Sequence, residues 1–493
     1  MKWSMCAGHG PIRGRRYADS HAAARSDDDT RPSQTRPQPR GPRTPRGPWG
    51  AAAAQMTGGG AGRTCYPPHD GEEHTMTHTT QPDHDAQALA DARRRAAAPA
   101  AQVLQRGMPV GRVLRGDTHL EYHPFGDAGR GDTTPGGRIP LALEALTGLL
   151  PEGPRREVLA AALGCAVDDD LALLLGAGAD LLGDLRVVPW GAANEAPGAD
   201  NDASGAGSPV ALRIGAHADF TDVGRAYDPQ AIPGVQRKCS AVLAGNDDQA
   251  AVEEHPVDTG VPGILKVGDP DLPGLVANEA RHLAVARTEL HIPVADCIVL
   301  HDVAGTPGLY LPRFDRQHLD GTVVALPHYD GAAVLGIDSA DKYEVPTETL
   351  ISALSEVCVD PGEAAANLFT QVAYSWLCGG GDLHAKNVGC YAPPGAPGFQ
   401  VAPLYDVVCT AIYGDMTMAL SIGGRRKNIR QRHLLSLAQQ VGLEQSQAWV
   451  LLRRALAAAR MIDLRATVRP CGVSESAIYG AERELRSRWY EVA

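Results

Sequence analysis

Residues 379 to 387 read Gly-Gly-Gly-Asp-Leu-His-Ala-Lys-Asn. A carboxylate, an imidazole, an ammonium and a carboxamide fall within six residues: Asp382, His384, Lys386 and Asn387. The carboxylate can take a proton or orient a hydroxyl. The imidazole and ammonium can face negative charge, and the amide oxygen can hold a hard cation. Asp, His and Asn beside glycines are also ordinary turn residues. The residues downstream favour chemistry. Residues 388–391 and 399–402 flank the Pro- and Gly-rich stretch 392–398 and read as a β-hairpin. The hairpin delivers a second carboxylate, Asp406, in Leu404-Tyr405-Asp406-Val407.

An Asn five residues after an Asp is the spacing of a protein-kinase catalytic loop. There the Asp orients or deprotonates the attacking hydroxyl and the Asn holds a metal ion. Asn387 and Asp406 would supply two oxygen ligands from different strands. That suits Mg²⁺, which keeps waters and shares phosphate oxygens. A nucleotide site also needs a phosphate-facing loop and a cation. Gly234 opens Gly-Val-Gln-Arg-Lys, with Gln236 and Lys238, before an apolar strand; a plain hairpin turn has the same pattern. Lys266 sits inside the short apolar run Gly263-Ile264-Leu265-Lys266-Val267, as a phosphate contact or as an edge lysine that blunts aggregation. Glu279 opens a helical pattern, to pair with Lys266 or simply to favour the helix start. Arg313-Phe314-Asp315-Arg316 leaves a strand, either to line an adenine pocket or as a salt-bridge cluster.

These residues need elements to hold them. The chain has 493 residues, 43% hydrophobic, and a formal charge of −12. That permits two or three domains with real cores and excludes fibrous and wholly disordered classes. Residues 1–75 carry 11 basic and 7 acidic side chains, net +4; the rest carry 35 and 51, net −16. An acidic body disfavours extensive contact with a phosphate backbone. Residues 1–100 are expected to be a disordered or mis-started extension, with Met76 an alternative start and order beginning near Val103. The pattern then predicts an N-terminal subdomain over 101–190, a linker over 191–209, a strand-rich lobe over 210–320 and a helical lobe over 321–493. The fold class is α+β. The ten cysteines include no Cys-x-x-Cys pair, no apolar run approaches a membrane span, and no secretory signal is apparent, so the expected location is cytoplasmic. Only six of the 46 basic residues are lysines, and Lys238, Lys266 and Lys386 all fall in these motifs.

In this order the motifs resemble the HipA family of Ser/Thr kinase toxins from type II toxin–antitoxin modules. The resemblance rests on Leu149-Leu150-Pro151-Glu152-Gly153 with Arg156, Gly234-Val235-Gln236-Arg237-Lys238, Ile264-Leu265-Lys266 and Asn278-Glu279. It continues through Arg313-Phe314-Asp315-Arg316, Lys342-Tyr343-Glu344, the 382–387 loop and Tyr405-Asp406-Val407. It implies a two-lobed protein-kinase-like fold with a small N-terminal subdomain and an all-helical C-terminal lobe. It implies Asp382 as catalytic base with His384 and Lys386 beside it, and Asn387 and Asp406 on Mg²⁺. Lys266 would contact the ATP phosphates and Arg313, Phe314 and Asp315 the adenosine, with Gly234, Gln236, Lys238 and Glu279 also in the cofactor-binding set. The implied substrate is a Ser/Thr-bearing protein of translation such as an aminoacyl-tRNA synthetase. The implied partner is a HipB-like DNA-binding antitoxin, through which any DNA contact would be indirect, and no membrane is involved.

Three positions depart from the family pattern. Ala231 replaces a regulatory serine, Pro312 an acidic residue, and Gly380 an asparagine, the last expected to loosen the loop. They leave open a weakened pseudokinase that only binds the antitoxin. A small-molecule phosphotransferase on a related core is a further alternative.

Overall fold

The structure is a computed structural model. It describes residues 82–493 except 118, 127–131, 135–136, 140, 193–209, 216, 244–259, 261 and 320–321. The expected extension up to residue 81 and the expected linker from residue 193 on lie outside the described residues.

Order begins before Val103, which corrects the expectation of disorder to residue 100. Among its described side chains, helix Pro82–Ala96 buries only alanines, Ala92 and Ala96. Arg93 Nε donates to Ala162 O at 2.7 Å, and the Arg95 guanidinium donates to Leu175 O and Gly176 O at the end of helix Asp170–Ala177. A helix with so small an apolar face resembles polar linker in sequence. A sheet ordered Leu120–Pro124, Met108–Arg115, Ala100–Gln105, Leu185–Pro189, antiparallel throughout, packs on helix Asp170–Ala177, while helix Pro82–Ala96 lies against helices Pro154–Leu163 and Asp170–Ala177. Asp169 caps the latter by accepting from Ala172 N.

A second sheet is ordered Ile298–His301, Pro307–Pro312, Gly263–Val267, Lys238–Leu243, Leu212–Ile214; only the last pair is parallel. Successive strand residues face opposite sides. Leu265 and Val267 therefore join Phe220 and Tyr310 on one face. Lys266 pairs in register with Leu309 on the other face, where Leu309 and Leu311 pack on Val276 and Leu283 of helix Leu275–Glu289. This alternation aims Lys266 at that helix.

From His328 on, the chain is mostly helical but not all-helical as expected, because His328–Asp330, Gly389–Tyr391 and Gln400–Val401 pair into one small sheet. Helix Pro361–Leu377 starts with Pro361 and an Asp360 cap and buries Leu368, Phe369, Tyr374 and Trp376. Its C-terminus feeds the 379–387 loop and is held by helix Glu475–Val492. Arg488 donates to Trp376 O at 2.9 Å and Met416 O at 2.8 Å, and its guanidinium lies 3.7 Å from the Trp376 ring centroid. Trp489 Nε1 donates to Leu377 O at 2.8 Å. Arg488→Ala removes three charged hydrogen bonds, the third to Glu484 Oε1 at 3.0 Å, and a buried cation–π contact. It is expected to cost about 3 kcal/mol in a urea titration. One continuous apolar cluster joins Leu146 and Leu150 of the N-terminal subdomain to Leu350, Phe369 and Ala385. Among the described residues, no helix is long and apolar enough to cross a membrane.

Candidate active site

Lys266 is 6% exposed, and its ammonium joins two carboxylates. Nζ lies 2.7 Å from Glu279 Oε1 and 2.9 Å from Asp406 Oδ1. Burial opposes its charge, but Asp406 and Glu279 outweigh burial and raise its pKa. Burial likewise opposes ionisation of Asp406. Lys266 and Lys238 prevail there and hold the carboxyl down at about 2. Asp406 sits in the left-handed region, φ 56°, an unusual conformation for a non-glycine. Neighbouring Asn278 secures this corner: its amide donates to Cys409 O at 3.1 Å and accepts from Cys409 N at 3.0 Å. The start of helix Leu275–Glu289 is thereby tied to the segment that carries Asp406.

The glycine loop folds over Lys238. Nζ donates to Pro233 O at 2.9 Å, and burial with the nearby Lys266 charge lowers the ammonium to about 7. Gly234 has φ 94°, a backbone conformation that favours glycine, and a Cβ there would lie 2.7 Å from Lys238 Nζ and push that ammonium aside. Arg155, from helix Pro154–Leu163, pins the loop by donating to Ile232 O at 2.6 Å. Two buried polar atoms lack a hydrogen-bond partner here: Gln236 Nε2 and Glu279 Oε2.

The loop after helix Pro361–Leu377 presents Asp382. Burial and then the Asp406 charge push its carboxyl up to about 7. Tyr343 OH donates to Asp382 Oδ1 at 3.3 Å, and Asn387 Nδ2 closes the loop on Asp382 O at 2.8 Å. His384 Nδ1 accepts from Lys386 N at 3.2 Å, which leaves the proton on Nε2. Burial, aided by Lys342, drops the imidazole to about 3, so it stays neutral.

Residues 230–462 match the HipA-like C-terminal domain, and residues 137–188 match the HipA N-terminal domain. The chain belongs to the HipA family. Two curated Sinorhizobium fredii proteins are similar to it: Putative kinase Y4dM, 28% identical over 292 residues, and Putative kinase Y4mE, 29% identical over 299. These matches take in 57% and 56% of this chain; they span 65% of the first relative's length, under two thirds, and 67% of the second's. A solved structure of HipA with HipB and operator DNA, from the Shewanella oneidensis MR-1 toxin–antitoxin system, is similar at a TM-score of 0.57 and 20% identity. That likeness covers 80% of this chain and 96% of that one, and it is a likeness of fold. All the candidate residues, Gly234 to Asp406, lie inside the HipA-like C-terminal match.

Within this HipA frame some candidates are placed otherwise than expected. Arg313 and Asp315 spend their side-chain groups on protein partners. All five Arg313 donors are used: on Asp315 Oδ1 and Oδ2, Asp180 Oδ1, Gln230 Oε1 and Leu181 O. Asp315 also accepts from Gly183 N and Arg316. The cluster stitches the 180–183 turn to the strand-rich lobe, so its second reading, a salt-bridge knot, is the structural one. Phe314 does join an aromatic group, with ring centroids 5.2 Å from His328, 5.7 Å from Tyr391 and 5.8 Å from Tyr405. Lys386 Nζ bonds Gly148 O, Ser339 Oγ and Glu152. Gly380 does not loosen its loop. Its N–H donates to Ser375 O at 2.7 Å, and a Cβ would lie 3.2 Å from that same oxygen. Glycine here serves close packing. Ala231 is buried and offers no hydroxyl to modify. Sequence reasoning singled out Arg156, but Arg156 bonds inside its own subdomain, to Val167 O and Asp170, while Arg155 reaches the glycine loop.

Proposed function

We propose that this chain is a kinase that moves the γ-phosphoryl group of Mg·ATP onto a serine or threonine hydroxyl of a translation-related protein. It acts as a growth-arresting toxin that a HipB-like antitoxin restrains. The observation that carries the reading is the buried Lys266 ammonium held by Glu279 and Asp406 while Asp382 is poised near pH 7. The names of the Sinorhizobium relatives support kinase chemistry, and the HipA–HipB–DNA complex supports the partner.

The residues fit a nucleotide. Gln236 Nε2, a buried donor without a protein acceptor, suits a phosphate oxygen. Lys238, near neutrality in the free protein, gains its charge as an anion approaches. Among the described residues no three His, Cys, Asp or Glu side chains gather to hold a metal ion. Asn387 and Asp406 would hold Mg²⁺ as two hard oxygen ligands, with phosphate oxygens supplying others. Bound there, Mg²⁺ would neutralise charge on the transferring phosphoryl group. Lys266 orients the phosphates, Asp382 takes the hydroxyl proton, and His384 Nε2–H is left as a neutral donor in the same loop. Phe314 with Tyr405 offers an apolar wall for adenine.

The test is phosphate transfer from labelled ATP to a panel of aminoacyl-tRNA synthetases and translation factors, with sugars and aminoglycosides as controls. Wild type should label one protein band on serine or threonine and Asp382→Ala none. Equal labelling by the two proteins would sink the proposal.

A further inference from the structure

The N-terminal subdomain meets the catalytic loop through one carboxylate. Glu152 lies in the turn just before helix Pro154–Leu163. Its Oε2 accepts from Lys342 Nζ at 2.5 Å and its Oε1 from Lys386 Nζ at 3.3 Å. Both lysines are buried, at 8% and 7% exposure, and such ammonium groups are costly to leave unpaired. The three Lys386 protons go to Glu152, Gly148 O at 2.5 Å and Ser339 Oγ at 2.9 Å.

Each lysine sits one bond away from the chemistry. Lys342 precedes Tyr343, whose hydroxyl reaches Asp382, and Lys342 O accepts from Ala385 N at 3.1 Å. Lys386 precedes Asn387, and Lys386 O accepts from Tyr405 OH at 2.9 Å, beside Asp406. Segments 342–343, 382–387 and 405–406 are therefore linked by hydrogen bonds. Glu152, which reaches across 190 and 234 residues of sequence, grips two of them together.

We infer that Glu152 is a positioning residue for phosphoryl transfer: by bridging Lys342 and Lys386 it holds Tyr343, Asp382 and Asn387 in register from the N-terminal subdomain. The inference rests on the kinase reading above. Lys266 is held by Glu279 and Asp406 rather than by Glu152, so loss of Glu152 should spare nucleotide affinity. Misplacing a reacting carboxylate by about 1 Å can cost on the order of a hundred-fold in rate.

The experiment compares the full-length wild type with Glu152→Gln, which keeps shape and removes charge. Two measurements are made: residue-resolved hydrogen exchange without nucleotide, and the kcat and KM for ATP in transfer. Exchange at the Lys386 and Asn387 amides should quicken about ten-fold or more, with helix Leu275–Glu289 unchanged, and kcat should fall about ten- to hundred-fold at unaltered KM. Unaltered exchange at those two amides, or a uniform rise along the chain, would overturn the inference; so would a loss confined to KM. If wild type transfers no phosphate, the kinase reading fails, while the exchange data still decide whether Glu152 holds the loop. Should Glu152→Gln not fold, Glu152→Asp, shorter by one methylene, carries the same readouts.

Discussion

Asp382→Asn is expected to remove phosphoryl transfer and, at the same time, to make the nucleotide-free protein more stable at pH 8. The first effect follows from the carboxylate's role. An amide cannot take the hydroxyl proton, and losing a general base costs about 10²–10⁴-fold. The second follows from its pKa. The folded protein raises this carboxyl from 3.8 to about 7, first by burial and then by the Asp406 charge. Below about pH 4 the group is protonated in both folded and unfolded chains and has no effect. Between there and about pH 7 the unfolded chain ionises first, so folding loses stability as pH rises. Above about pH 7 the full penalty applies, on the order of a few kcal/mol. Asparagine never ionises, so its advantage should be largest at pH 8, smaller at pH 5 and absent at pH 3.5. Urea titrations at the three values measure it. A gain that is flat with pH would mean that the buried charge is not its source. The same pKa predicts that wild-type transfer, at limiting ATP, falls as pH drops below about 7.

Local motifs were legible in the sequence because their geometry is local. The Asp382-to-Asn387 spacing closes through one short hydrogen bond, Asn387 Nδ2 to Asp382 O. Strand alternation aims Lys266 off the Leu265 face, toward the helix that carries Glu279. The scarcity of lysine also has a structural counterpart: Lys238, Lys266, Lys342 and Lys386 are all buried, while Lys427 is exposed. What sequence could not show were partners fixed only by the assembled fold. Arg313 and Asp315 look alike in a motif whether they meet a nucleotide or Asp180, which is 133 residues from Arg313. The choice of Arg155 over Arg156 depends on which side of a helix faces the glycine loop. Helix Pro82–Ala96 is hard to see in sequence because alanine gives little periodic signal. Gly380 reads as slack until Ser375 O is seen against it.

Lys266→Met should be the second large effect, and a paired variant separates its two causes. The substitution keeps length and volume but leaves Glu279, fully buried, and Asp406 facing each other without the ammonium that joins them. Breaking a buried ion pair by removing one partner costs about 3–5 kcal/mol, because the orphaned charge must be neutralised or desolvated. Glu279 is the worse placed of the two, since its Oε2 already lacks a partner. Lys266→Met with Glu279→Gln removes that carboxylate charge and should recover most of the lost stability in a thermal or urea melt. Transfer should not recover. The double variant still lacks the cation that orients the phosphates, and a loss of about 10²–10³-fold in kcat is expected in both. Lys266→Arg keeps the charge, but its planar fork is a poor substitute for a compact ammonium between two fixed oxygens, so it should fold better than Lys266→Met and still transfer poorly. If instead the double variant regained transfer with stability, Lys266 would be a structural tie rather than part of the chemistry. The kinase reading would then lose the observation that carries it.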